Sequence, residues 1–520
     1  MPPTVQSPLI WALNDRLRKA HDVQDHTRPA YLAETRYYRR EAPDAFNAHE
    51  DSLDVLDREI ELLKLTLEAI IGERERAEAR HNRRLNAGSI VESRLPPEIL
   101  AHVFSVGVDP FDTSFPLLVS SVSKHWRDVA LRTPELWQFF RFQFSTPVEM
   151  LAAWLERSKA CWFDFELQVD DCPGFGAEDC RTAMEIVRPH LPRCRRLTLS
   201  VYDRECAQAV LLQCQGVTAP LLENLDVSLW DVAGGDQVNE ACTIFEGGTP
   251  QLASLTTTGV SLNWDDSLFS GLTHLVIKGV PERKCPTLRQ MCSILGKSPS
   301  LESLELRGAG FAASEEVRAG DGGDGNTYAL FPAALPRVHL PAIQTMTLRE
   351  IPSEFSSPLI ASITAPALEI LVAETESIMD DVSSMMLNIG YQFTSLRRLT
   401  LCGGRYSVPT CVDMLRNLGD LETLRLDGCS AHVLSELSSS GRSNLGWLCP
   451  QLKYLTLSSS HDLPASQVLN LVRSRLNSRG ASKLMVLAVD ASCQISSADR
   501  EWLERHLLIF SQTKSNTVLF

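Results

Sequence analysis

The sequence predicts an α/β protein: a helical N-terminal region, then a curved parallel sheet laid down one short strand at a time, with helices on its convex side. Three observations carry this expectation. Apolar residues recur three and four apart from Leu53 to Ile70, the period of a helix that buries one stripe. Two shorter stripes of helical period follow, Ile99 to Phe104 and Leu118 to Val129. Beyond residue 160 the pattern becomes Leu-x-x-Leu-x-Leu, most units recurring about every 25 to 32 residues, a solenoid spacing.

At 520 residues the chain is long enough for several domains or one repeat array. Its apolar and charged fractions, 44% and 22%, are those of a globular protein. A net charge of -15 argues against a general nucleic-acid binder or an anionic-membrane binder, because both need clustered Lys and Arg. The 14 cysteines show no Cys-x-x-Cys pairing, and Cys194 and Cys449 sit where an apolar residue would serve. Buried thiols in a reducing compartment are the expectation, not a disulfide framework. No Asn-x-Ser/Thr acceptor, secretory signal layout or membrane-length apolar run appears, so a soluble cytoplasmic or nuclear protein is expected.

Residues 1–45 have no sustained period, and their basic cluster, Arg36 to Arg40, reads as a solvated helix face. Residues 46–88 are expected to form one long helix, a possible coiled coil. Leu53, Leu56, Ile60, Leu63, Leu67 and Ile70 make an a/d seam, flanked by Asp57, Glu59, Lys64 and Glu73. Packing on its own chain is the favoured reading and dimerisation the sharper one. From Glu73 to Arg84 the run is almost wholly charged, a solvated continuation.

Leu95-Pro96-Pro97-Glu98 opens the next helix. Pro97 suits a first helical position, where its missing N–H costs nothing, and Glu98 lies beside the positive helix end. Gly107, Asp109 and Pro110 should end it. Leu118, Val122, Trp126 and Val129 form a second helical run, expected to bend between Ser120 and Lys124, and Thr133-Pro134 stops it ahead of Leu136-Trp137. A helical unit of about 45 residues struggles to bury a core alone, so it must dock on something.

The order Leu95-Pro96-Pro97-Glu98-Ile99-Leu100, Val103-Phe104, Leu117-Leu118, Val122-Ser123-Lys124-His125-Trp126-Arg127 and Pro134-Glu135-Leu136-Trp137 resembles an F-box over residues 90–140, with Ser123 where many members carry Cys. With the long helix before it and Met150 to Ser158 in a linking segment, residues 141–160, the chain is similar to a large group of fungal F-box proteins. The resemblance implies docking on a Skp-type adaptor, and through it on a cullin ubiquitin ligase. It implies adaptor contacts at Leu95, Pro96, Ile99, Leu100, Val103, Phe104, Leu118, Val122 and Trp126.

The repeats fill residues 161–498, from Cys194/Leu197/Leu199 and Leu222/Leu225/Val227 through Leu301/Leu304/Leu306 and Leu421/Leu424/Leu426 to Leu484/Leu487/Val489. Within each unit Leu-x-Leu alternates at period two, so its leucines point inward from a short strand. Glycine follows at Gly259, Gly279, Gly308, Gly403 and Gly428, where the chain must turn. One repeat cannot bury its leucines alone, so neighbours must stack. The asparagine of regular repeats is missing, and an irregular leucine-rich-repeat solenoid is expected. A glycine-rich insert near 314–328 reads as a loop. In residues 499–520, Trp502, Leu503, His506, Leu507 and Phe510 read as the stripe of a capping helix.

No enzyme chemistry is expected. Gly296-Lys297-Ser298 lacks the glycine that a phosphate loop needs five residues earlier, and no Gly-x-Ser-x-Gly, His-Glu-x-x-His or Cys/His quartet appears. No cofactor or metal is implied. The expected function is an adaptor whose F-box holds the ligase while the solenoid grips an unidentified target protein, with Trp264, Arg307 and Arg425 among candidate contacts. The alternative is an interaction scaffold in which the F-box-like helices only cap the solenoid.

Overall fold

A computed structural model describes residues 44–87, 95–109, 112–143, 146–170, 176–230, 242–246, 248–280, 284–308, 336–375, 377–439, 446–458 and 463–513. The insert near 314–328 and the segment 1–43 lie outside them. The chain divides into two compact units, Met1–Arg132 and Thr133–Phe520.

Among its described residues the first unit holds four helices: α1 (Asp44–Ala87), α2 (Pro97–Val106), α3 (Phe115–Val122) and α4 (Lys124–Arg132). Helix α1 covers the expected seam, with Ile60, Leu67 and Ile71 exposed and Leu63 and Ile70 half-buried. Helix α2 starts at Pro97, with Glu98 in its first turn. The run from Leu118 to Val129 is two helices rather than one bent one. Ser123 takes extended dihedrals, φ -154° and ψ 169°, and its Oγ accepts the Trp126 N–H at 3.2 Å. A hydroxyl that satisfies a first-turn donor starts a new helix.

The second unit opens on a 3-10 turn, Pro134–Trp137, whose Leu136 and Trp137 are buried. Among the described residues fourteen parallel strands then stack in chain order. They are β1 (Phe139–Phe142), β2 (Phe163–Gln168), β3 (Cys194–Val201), β4 (Asn224–Leu229), β5 (Ser254–Thr258), β6 (His274–Lys278) and β7 (Ser303–Arg307). After β8 (Val338–His339) come β9 (Thr345–Arg349), β10 (Ile363–Thr364), β11 (Ile370–Glu374), β12 (Arg398–Cys402) and β13 (Thr423–Asp427). The last are β14 (Tyr454–Ser458), β15 (Val486–Asp490) and β16 (Ile509–Thr513). Strands β8 and β10 stand apart, as a two-stranded pair.

Register explains the core. Leu225, Leu255, Leu275, Leu304, Met346, Leu371, Leu399, Leu424, Leu455 and Leu487 align across neighbouring strands and are all buried. Where Thr257 replaces a leucine in the weaker unit, its buried hydroxyl donates to the Val260 carbonyl at 2.9 Å. The polar atom is thereby satisfied. Gly259 turns out of β5 at φ +70°, and a Cβ there would lie 2.6 Å from the Leu229 carbonyl oxygen. Among the described residues ten helices run between strands: α5 (Val148–Arg157), α6 (Ala177–Val187), α7 (Arg204–Gln213), α8 (Leu288–Gly296), α9 (Ser353–Ser362), α10 (Ser383–Gln392), α11 (Val408–Asn417), α12 (Ala431–Leu437), α13 (Ala465–Leu476) and α14 (Ser497–His506). From α9 onward each packs on the next, a helical layer beside the sheet.

Two features depart from expectation at the ends. The sheet begins at β1 and β2, before the first Leu-x-x-Leu-x-Leu, because phenylalanines take the inward positions of Phe-Phe-Arg-Phe and Phe-Asp-Phe-Glu-Leu. At the other end Phe510 is not on a capping helix. Helix α14 stops at His506, and Phe510 pairs with Leu487 as β16 adds a final strand. The switch follows the Leu508 N–H, which donates to the Met485 carbonyl at 2.8 Å.

Candidate docking face on the first unit

Helix α2 splits its apolar residues between two faces. Leu100 and Phe104, four apart, point into the interior, and Phe104 is 1% exposed. Ile99, Val103 and Val106, four and three apart, occupy a different face and are 49%, 53% and 73% exposed. Helix α3 repeats the division, with Pro116 and Val119 buried and Leu117, Leu118 and Val122 exposed, Leu118 at 61%. Helix α4 closes the unit by packing on both α2 and α3. The half-buried indole of Trp126 lies 5.1 Å from the Phe104 ring, tilted at 54°.

The corners hold these helices in place. Pro96 precedes α2 and its carbonyl accepts the N–H groups of Ile99 and Leu100 at 3.0 and 3.1 Å. Gly107 ends α2 against Phe115, whose ring would sit 2.6 Å from any added Cβ. The Asp112 carboxylate accepts the Ser114 N–H at 2.9 Å and its hydroxyl at 2.5 Å. Those two donors hold the Asp112 carboxyl below the usual carboxylate range. Arg127 donates from Nε to the Ser120 carbonyl at 2.9 Å, tying α4 to α3.

The nine residues expected to contact an adaptor therefore separate. Ile99, Val103, Leu118 and Val122 are exposed, as is Pro96, while Leu95 and Trp126 are half-buried. Leu100 and Phe104 belong to the interior, because their positions on α2 turn them toward α4 and Trp126. Val106, Leu117 and Leu131 are exposed apolar residues that were not anticipated. Val106 was open to detection, since it lies seven residues after Ile99 and so on the same helical face.

Chemically the face offers aliphatic area. Soluble chains seldom leave such residues clustered without use, and what aliphatic area can do is bury itself against another apolar surface. No group of three His, Cys, Asp or Glu suited to a metal occurs among the described residues. Gly296-Lys297-Ser298 closes α8 instead of opening a helix. Ser298 is buried there, donating to the Phe269 carbonyl and accepting the Leu272 N–H, each at 3.1 Å.

On the repeat unit, Trp264 is no candidate contact: it is buried, its ring lies 5.3 Å from Phe269, and its Nε1–H donates to the Lys284 carbonyl at 2.8 Å. Arg307 is exposed, in an ion pair with Glu350 at 3.4 Å, and Arg425 is half-buried on β13.

Residues 93–143 match the F-box-like family. No curated protein matches the chain. Among solved structures it is similar, at 14% identity, to a chain in the crystal structure of the Rad7 and Elc1 complex in yeast. That similarity covers 86% of this chain and 93% of the other, with a TM-score of 0.34.

Proposed function

We propose that this chain is the substrate-recognition adaptor of a Skp-cullin-F-box ubiquitin ligase, of the kind found in fungi, working in the cytoplasm or nucleus. The F-box docks a Skp-type adaptor and the leucine-rich repeats hold a target protein. The chain contributes binding and no chemistry of its own, and it needs no cofactor. The observation that carries the reading is the exposed aliphatic face of Ile99, Val103, Leu118 and Val122 within the segment that matches the F-box-like family. Aliphatic side chains left open on α2 and α3 favour a separate polypeptide as their cover.

The test is co-elution of the purified chain with a Skp-type adaptor, repeated with Leu95→Ala and Pro96→Ala combined. Loss of the complex with an unchanged circular-dichroism spectrum supports the reading. Unaltered co-elution of the folded double variant counts against it.

A further inference from the structure

Five buried side-chain nitrogen or oxygen atoms lack a hydrogen-bond partner among the described residues, and three of them lie on one strip of the sheet: Arg349 Nε, Arg425 Nε and Asp427 Oδ1. Folded chains satisfy nearly all such atoms, so three together need a reason. The strip crosses β9, β11, β12 and β13 on the face turned away from the buried leucines. Arg349 is the register partner of Glu374, Glu374 pairs with Cys402, and Arg425 and Asp427 follow on β13. All five side chains are half-buried. The carboxylates of Asp427 and Glu374 and the guanidiniums of Arg425 and Arg349 all act on the Cys402 thiol, so their charges converge there.

Yet the charges of the strip do not close on one another. Elsewhere on the sheet opposite charges meet: Arg141 and its register partner Glu166 at 2.8 Å, Lys278 and Glu305 at 3.1 Å, Arg307 and Glu350 at 3.4 Å. Arg349 and Glu374 are opposed in the same way and form no ion pair among the described residues, and neither does Arg425. Cys402 is not the missing anion, because burial pushes its thiol up to about 12 and keeps it protonated at neutral pH. We infer that an acidic, extended segment of the target protein lies across this strip, its carboxylates on Arg349 and Arg425 and a backbone N–H on Asp427. The inference rests on the repeats holding the target, as proposed above. Three strand spacings put the two arginines about 14 Å apart across the sheet, the span of side chains four residues apart in an extended chain. Guanidinium matches carboxylate in fork geometry, whereas a phosphate dianion would be repelled by Glu374 and Asp427 in the same strip. A net charge of -15 repels an acidic segment at long range, so the attraction has to be local.

The test is fluorescence anisotropy of a dye-labelled peptide of alternating glutamate and serine, titrated with the full chain at about 0.15 M salt, where long-range charge is screened. Alternation puts every glutamate on one face of the extended peptide. The wild-type chain should bind it and not the same peptide with glutamine for glutamate. Arg349→Met and Arg425→Met keep the apolar stem of each side chain and remove its donors. Each should weaken binding about tenfold, the worth of one charge-assisted hydrogen bond. Neither should lower the melting temperature, since the donors removed had no partner. Arg307→Gln, exposed and already paired with Glu350, should leave the affinity unchanged. Equal affinity for the two peptides, tighter binding of a peptide with phosphoserine for glutamate, or methionine variants that bind like the wild type or melt earlier would overturn the inference. Co-elution with the Skp-type adaptor is followed on the same chains. Its persistence where peptide binding fails confines the failure to this strip, whereas its loss in the wild type counts against the function proposed above.

Discussion

Replacing Ile99 and Val103 together by alanine tests the docking face at its most quantifiable point. About half of each side chain remains exposed, 49% and 53%, and so is left for a partner to cover. Full burial of a branched aliphatic side chain is worth about 1.5–3 kcal/mol, so each half contributes about 1 kcal/mol and the pair about 2 kcal/mol. At 1.4 kcal/mol per tenfold, the double variant should bind a Skp-type adaptor about 30-fold more weakly. The assay is calorimetric titration of adaptor into each purified chain, with thermal unfolding recorded beside it. The contrast is Phe104→Ala, whose buried ring packs on Trp126. Its removal should cost about 3–5 kcal/mol of folding stability, the toll of emptying a core site. If the folded Ile99/Val103 variant bound as tightly as wild type, the assignment of this face would be wrong.

Three further outcomes follow from the repeat unit. Trp137 packs edge-on against Trp154 at 4.6 Å, with Arg157 over its ring at 4.5 Å. Trp137→Ala should therefore destabilise that unit by about 3–5 kcal/mol in denaturant. A fragment starting at Thr133 should unfold cooperatively, whereas one starting at Gln138 should be less stable; equal stability would remove Trp137 from the core. Gly259→Ala should lower the melting temperature through a loss of more than about 1 kcal/mol, since alanine resists φ +70° and would meet Leu229. Burial pushes the thiols of Cys214, Cys429 and Cys449 up to about 12, so at pH 8 they stay protonated. Mass spectrometry after iodoacetamide should find them unmodified in the native chain and alkylated in guanidinium. Alkylation of native Cys449 would contradict its placement.

Much of the sheet was readable because strand chemistry repeats. Leu304/Leu306 and Leu424/Leu426 alternate at period two, and glycines such as Gly308 and Gly428 mark the exits at positive φ. The first two strands escaped the pattern because phenylalanine does the packing there, and aromatic alternation over four to six residues is too short to separate from a helix segment. Trp264 misled for another reason. It lies beyond β5 in a turn, where period two no longer says which way a side chain points, and its indole found a carbonyl inside. Among the F-box residues, sequence located the stripe but could not divide it. Ile99 and Leu100 are adjacent and both aliphatic, and only the position of α4 determines that Leu100 turns inward.

The most direct measurement places a photo-activated benzophenone at position 118, where the Leu118 side chain is 61% exposed. Irradiating the folded chain with a purified Skp-type adaptor should yield a covalent one-to-one adduct, lost when unlabelled wild-type chain competes. Irradiation that leaves the adaptor unlabelled, with the chain intact and both proteins in excess of micromolar concentration, would contradict the claim that this face is where the ligase is held.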